Sequence, residues 1–233
     1  MIVSIHQPEF LPWLPFFDKM DMSDQFVLLD NVQFEKNYFQ NRCKIRDGKG
    51  GHQLIAIPTK DSPLSTLICE KQIARDQRLI AKMLKSVEFL YSRAPYFKRY
   101  FPEIKTHVET HDLVASLNIE LIRLCIRVFG IGAKVLVASD LKIAKESDGT
   151  RVVGSISKHL QATRYISGRM GRDYLDESYF MQMGIDVAYH DYNFSTYPQS
   201  GEKAFIPGLS ALDILFNCGE QSLEFIRKGR VHV

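Results

Sequence analysis

The chain has one tryptophan, four scattered cysteines and no long apolar run, and each scarcity removes a class of protein. Cys43, Cys69, Cys125 and Cys218 form no C-x-x-C pair, so the closely spaced ligands of a structural zinc site are missing. Cys125 sits inside an apolar helical pattern and Cys218 follows another, which reads as buried free thiols in a reducing compartment. No window reaches the roughly 18 uninterrupted apolar residues of a membrane span. The opening Met-Ile-Val-Ser-Ile runs straight into His6-Gln7-Pro8, without the basic flank and long apolar stretch of an export signal. A cytoplasmic protein is therefore expected. Charge of one sign is scarce too. Thirty Lys and Arg against 27 Asp and Glu leave a net charge of +3, so nothing global attracts nucleic acid.

What is present is the composition of an ordinary globular chain. Of its 233 residues 45% are hydrophobic and 24% charged, enough for one sizeable core. No repeat or low-complexity segment divides it, and a single α/β domain over residues 1–233 is expected. The aromatic load is heavy, with 15 Phe and 10 Tyr.

Residues 1–5 read as a buried strand that ends at His6-Gln7-Pro8, where Pro8 forces Gln7 into extended geometry. Leu11 to Met20 reads as a short helix whose Phe10, Trp13, Phe16 and Phe17 pack behind His6. Phe26 to Leu29 is a second strand, closed by Asp30-Asn31. Residues 43–73 read as β structure, a hairpin around the turn Asp47–Gly51 and a further run from Leu67 to Ile73. Residues 76–130 switch to helical periodicity, three helices of which the third starts at an Asp112 cap and ends at Gly130. Strand and helix then alternate: a strand over 134–138, a helix over 151–160, a strand over 164–166 ending at Ser167-Gly168, a helix over 176–183 and a strand over 185–189. A polar loop covers 193–208, and Ser210 starts a last helix through Leu215. The order predicts an open, mostly parallel sheet of Rossmann-like or HUP-like type, carrying a β-hairpin region and a helical insertion.

In such a sheet the carboxyl ends of the strands converge on one crevice. Four apolar strands here finish in polar groups: His6-Gln7, Asp30-Asn31, Ser139-Asp140 and Ser167-Gly168. His6 suits acid–base work or phosphate contact, or simply caps backbone groups. Histidines 52, 107, 111, 159, 190 and 232 show no metal-ligand spacing, and no metal is expected. Between Asp30 and Arg46 a carboxylate (Asp30), amides (Gln33, Asn37, Asn41) and cations (Lys36, Arg42, Lys44) alternate with Phe34, Tyr38 and Phe39. Arg42 has the fork to grip a phosphate or carboxylate, and the aromatics can stack a base or seal the sheet edge. Ser167 to Asp176 follows a strand and precedes a helix, with glycines that let backbone N–H groups approach an anion and with Tyr174 beside them. Asp176 also reads as a plain helix cap, and Ser210 with Asp213 as helix initiation. Cys43 has no base beside it in sequence and is not expected to be a nucleophile.

Several of these stretches are specific. S-I-H-Q-P-E-F-L-P-W, F-V-L-L-D-N-V-Q-F-E-K-N-Y-F-Q-N-R, A-P-Y-F, Y-I-S-G with Y-L-D, and L-S-A-L-D-I-L-F-N-C-G together resemble the WbqC-like protein family. The resemblance runs from residue 4 to about 219. Where members read Asn-Arg-Asn, this chain has Asn41-Arg42-Cys43. Members occur typically among genes for bacterial surface polysaccharides such as O-antigen. The resemblance thus implies a nucleotide sugar as small-molecule partner and a transferase that acylates or glycylates an amino sugar. His6 and Asp30 would then be catalytic, with Gln7, Gln33, Lys36, Asn41, Arg42, Ser167, Gly168 and Tyr174 binding substrate. An activated acyl donor or ATP would supply the reaction. The outline also resembles HUP-type nucleotidyltransferases and amide ligases, although their paired histidines are reduced here to His6. A non-catalytic sugar-nucleotide or partner-binding protein is the remaining alternative. The oligomeric state is left open.

Overall fold

The computed structural model describes residues 1–144, 146, 148–201 and 204–231; His232 and positions 202–203 of the polar loop lie outside the described residues. The chain opens with β1 (Ile2–His6), α1 (Leu14–Asp21) and β2 (Gln25–Leu28). A hairpin of β3 (Arg42–Arg46) and β4 (His52–Ala56) follows, then three helices, α2 (Gln77–Tyr91), α3 (Phe97–Thr110) and α4 (Val114–Phe129). Alternation resumes with β5 (Lys134–Val137), α5 (Gly149–His159), β6 (Arg164–Gly168), α6 (Glu177–Gln182) and β7 (Asp186–His190). Two helices close the chain, α7 (Ala211–Cys218) and α8 (Ser222–Lys228).

Five strands form one parallel sheet in the order β5-β2-β1-β6-β7, and β3 and β4 pair separately as an antiparallel ribbon. The chain builds outward from β1 through β2 to β5, then returns to the other side of β1 with β6 and β7. The strand order therefore reverses between β1 and β6, the place where open α/β sheets bind ligands outside their carboxyl ends. The α/β class with a mostly parallel sheet is as the sequence led us to expect.

Period-two burial assigns the two faces. Val3, Ile5, Val27 and Leu29 point into a cluster with Val153, Ile156 and Phe180 of α5 and α6. Phe26 and Leu28 point the other way, into a larger cluster with α1, the helices α2 to α4 and α7. In α1, Pro15 fits the first turn, where its missing N–H costs nothing. Phe16 and Phe17 meet Phe26 and Phe129 edge-on at 5.1 and 5.3 Å.

Three local expectations change. Leu67 to Ile73 is no strand: Ile68–Glu70 form a 3₁₀ turn, and Leu67, Gln72 and Ile73 pair singly with Gln33, Leu113 and Thr59. With three different partners no ladder can grow. Leu113, not Asp112, stands at the cap of α4, because the Asp112 carboxylate is taken by the Arg75 guanidinium at 2.9 Å. Trp13 does not pack behind His6 with Phe10, Phe16 and Phe17, which are buried; it stands 44% exposed at the N-cap of α1.

Candidate functional site

His6 is the last residue of β1, and alternation turns its ring toward α1, edge-on to Phe16 at 5.0 Å. Its Nε2 lies 3.3 Å from Glu9 Oε1, with the imidazole 28% and the carboxylate 10% exposed. Nδ1 is covered and has no hydrogen-bond partner among the described residues, while Nε2 faces the Glu9 carboxylate. Burial and the nearby Lys19 charge push the His6 pKa below its ordinary 6.5, against the pull of Glu9. The imidazole is consequently neutral at pH 7.

Lys19 belongs to the same cluster. It projects from α1 beneath the end of β1, only 2% exposed, and Nζ donates to the Ile5 carbonyl at 3.1 Å. Burial lowers its pKa to about 7, with Glu9 opposing. An imidazole, a carboxylate and an amine that is half-protonated near neutrality thus share the exit of β1. Such shifted groups are the usual equipment of acid–base sites.

A second group of charges flanks Lys19 on α1. Asp18, fully buried, accepts from His190 Nε2 at 2.8 Å and from Arg230 Nε at 2.9 Å. His190 ends β7, so Asp18 ties α1 to the exit of that strand and to the C-terminal segment. Asp21 is gripped by Arg227 at 2.8 Å on both oxygens and by Arg230 at 2.5 Å. Burial raises the Asp21 carboxyl, but the two guanidinium groups outweigh it and the pKa falls below 3.8.

The loop between β1 and α1 is held from several sides. Asn118 of α4, fully buried, donates through Nδ2 to Pro8 O at 2.8 Å and to Gln40 O at 2.7 Å. Phe10 N–H reaches Phe39 O, and Ala211 N–H reaches Pro12 O. Leu11 is held at φ +47°, a left-handed conformation that costs a non-glycine residue on the order of 1 kcal/mol. The rigid loop keeps Glu9 opposite His6.

The expected site residues divide into two groups. Gln7 accepts from Gln40 Nε2 at 2.7 Å, and Gln40 takes the Glu35 N–H, so the loops after β1 and β2 are joined. Asn41 donates to Ile57 O, with its Oδ1 buried and unpartnered; Arg42, whose guanidinium sits 5.9 Å over the Phe39 ring, has a buried and unpartnered Nε. Gln7 adjoins His6 directly, and Asn41 and Arg42 follow Gln40, the residue that bonds it. Tyr38, 44% exposed, is near enough to Glu9 for that carboxylate to help raise its pKa, after the larger effect of burial.

The others stand apart or are already engaged. Both oxygens of Asp30 are taken by Ser139, the N–H at 2.9 Å and the hydroxyl at 2.7 Å, which clamps the exit of β2 to that of β5. Gln33 is exposed and pairs with Leu67; Lys36 is exposed, 3.9 Å from Asp61. Ser167 is buried at the end of β6, where a Cβ at Gly171 would fall 2.0 Å from its Oγ. Gly168 has open space where a side chain would be. Tyr174 lies against Gly149 at the start of α5, on the opposite face of the sheet from His6. Burial raises the Cys43 thiol to about 12, which removes its thiolate at neutral pH.

Glu9, Lys19, Asp18, His190 and Asn118 were not singled out in the sequence. The signal for the first three was present: Glu9 is three residues after His6, and Asp18-Lys19 interrupts an otherwise apolar helix. Charges in a buried stripe need partners, and these partners are the site.

Compared with known proteins, residues 7–225 match the model of the WbqC-like protein family. A Mycobacterium tuberculosis (strain ATCC 25618 / H37Rv) protein, described as the uncharacterized protein Rv1507c, is 28% identical over 229 residues, which is 97% of each chain. No solved structure matches. With residues 7–225 covered by the family model, a range that opens directly after His6, the chain belongs to the WbqC-like protein family.

Proposed function

We propose that the chain is a transferase that forms an amide on the amino group of a nucleotide-linked sugar, in the assembly of a bacterial surface polysaccharide. The observation that carries the reading is the His6–Glu9–Lys19 cluster at the exit of β1, next to the reversal of strand order. Acyl transfer to an amine needs a group that takes a proton from the attacking nitrogen at neutral pH. Burial keeps His6 neutral and therefore able to accept it, and Glu9 beside Nε2 stabilises the imidazolium that forms. The nitrogen lone pair attacks the acyl carbon, the bond to the leaving group breaks, and the proton on nitrogen passes to the His6–Glu9 pair. Lys19 adds a second buried titrating group that sets the charge of the pair.

Arg42 carries a buried Nε–H without a partner, a donor suited to a ligand's phosphate or carbonyl oxygen, whereas the unpartnered Asn41 Oδ1 accepts and suits a ligand's N–H or O–H. Gln7 orients the same loop. Ser167 and Gly168, across the switch point, are assigned to bind an anion, and Asp30 fixes the rim through Ser139. Gln33, Lys36 and Tyr174 are assigned to the outer parts of the substrate. An acyl donor or ATP provides the activated carboxyl.

A thermal-shift screen with nucleotide sugars, ATP and acyl-CoA tests the reading, since a ligand that binds only the folded state raises the melting point by mass action. Stabilisation by a nucleotide sugar is expected, reduced in Arg42→Ala. A flat response to all three ligand classes would falsify the assignment.

A further inference from the structure

The only tryptophan of the chain is left 44% exposed at a site that the backbone holds firmly. Trp13 pairs with Ser210 across the start of α7, and its neighbour Pro12 accepts the Ala211 N–H at 2.7 Å. The indole lies 5.7 Å from the ring of Phe194, itself 36% exposed, with the planes inclined by 47°. Phe194 meets Tyr192 edge-on at 5.5 Å, and Tyr192 stacks on His190 at 6.2 Å. Asn193 and Ser195, on either side of Phe194, are anchored to Gly229 O and Phe225 O at 2.8 and 2.7 Å. Trp13 follows β1 and Phe194 follows β7, so the two rings form a shelf on the carboxyl side of the sheet. That is the side on which His6 ends β1.

We infer that Trp13 and Phe194 form a subsite for the face of a pyranose ring; the inference rests on the amino-sugar reading given above. The exposed parts of the two side chains amount to about 120–200 Å², judged from the 150–250 Å² of whole aromatic side chains. A protein partner needs about 800 Å² on each side, so the shelf is too small for one. It matches one sugar ring. An aromatic face is negative, and the axial C–H bonds of a pyranose are weakly positive, so the two attract. The sugar's hydroxyl groups remain in water, which suits a half-exposed shelf better than a closed pocket. The neighbouring Asn193 and Thr196 are exposed and polar.

Because Trp13 stands alone in the composition, its emission reports on this one place. UDP-glucosamine, UDP and glucosamine are titrated separately into the full chain, with emission and calorimetry followed in parallel. UDP-glucosamine, and glucosamine more weakly, are expected to shift the emission saturably, and UDP to bind without shifting it. Phe194→Ala weakens UDP-glucosamine about five- to tenfold and leaves UDP unchanged. Phe194→Leu keeps the bulk without the π face and shows the same loss, should the smaller variant fold poorly. Calorimetric binding of UDP-glucosamine with unmoved emission overturns the subsite and leaves the nucleotide-sugar reading standing. A saturable shift with glucosamine, with no nucleotide bound, keeps the subsite and overturns that reading. Silence toward both sugars overturns the subsite.

Discussion

Lys19 is the residue whose environment departs most from its sequence-level expectation. A lysine with its amine sealed beneath β1 holds its proton less well than in the unfolded chain, about 7 against 10.5. Between those values the unfolded chain binds the proton and the folded chain does not, so stability climbs as pH rises through the window. From pH 7 to 9 the wild type should gain about 2 kcal/mol relative to Lys19→Met, read by urea unfolding at both values. A constant difference between the two proteins would show that the amine is solvated. His6 is depressed as well, and in an NMR titration its midpoint should lie below the ordinary 6.5. At this scale the sequence was partly legible. His6 was identifiable from its position after a β-branched strand, but no reading of the sequence singled out Glu9 or Lys19. Burial decides the pKa of such groups, and burial is a property of the fold.

The elements that matter are the β1–α1 loop and the helices that hold it. Asn118, fully buried, joins α4 to two loops through the carbonyls of Pro8 and Gln40. Asn118→Ala leaves both acceptors short of a donor and should cost about 2 kcal/mol, with faster amide exchange confined to residues 7–13 and 35–41. Unchanged exchange in both loops would mean that the loop strain at Leu11 is held by other contacts. Asp18 links α1, β7 and the C-terminal segment. Asp18→Asn leaves Arg230 and His190 without their shared anion, a loss of roughly 3 kcal/mol in chemical denaturation. The α1 stripe, the three long helices and the parallel strands were readable from periodicity. The run at 67–73 was not, because single bridges to three partners leave no alternating pattern. Nor was α8, seven residues after a break at Gly219–Gln221, too short to show a helical period.

Over the whole molecule, the parallel direction of the five strands puts their polar ends on one side of the sheet, and the strand order reverses between β1 and β6. The convergence of His6, Asp30, Ser139 and Ser167 could be anticipated, because parallel strands share a direction. Which of them faces which side could not. His6 turns toward α1, whereas Tyr174 lies over α5, a separation set by the parity of each strand and by loops whose course no motif fixes. The aromatic excess likewise divides: Phe10, Phe16 and Phe17 close the core behind His6, and Trp13 and Phe194 stand at the rim. The central claim is that this crevice transfers an acyl group with His6 taking the proton. Mass spectrometry of UDP-glucosamine incubated with acetyl-CoA, or with glycine and ATP, tests it in the wild type and in His6→Ala. The account predicts an acylated sugar from the wild type and turnover lower by about 10²- to 10⁴-fold in His6→Ala at unchanged affinity. No product from the wild type, or full turnover with weakened affinity in His6→Ala, would contradict it.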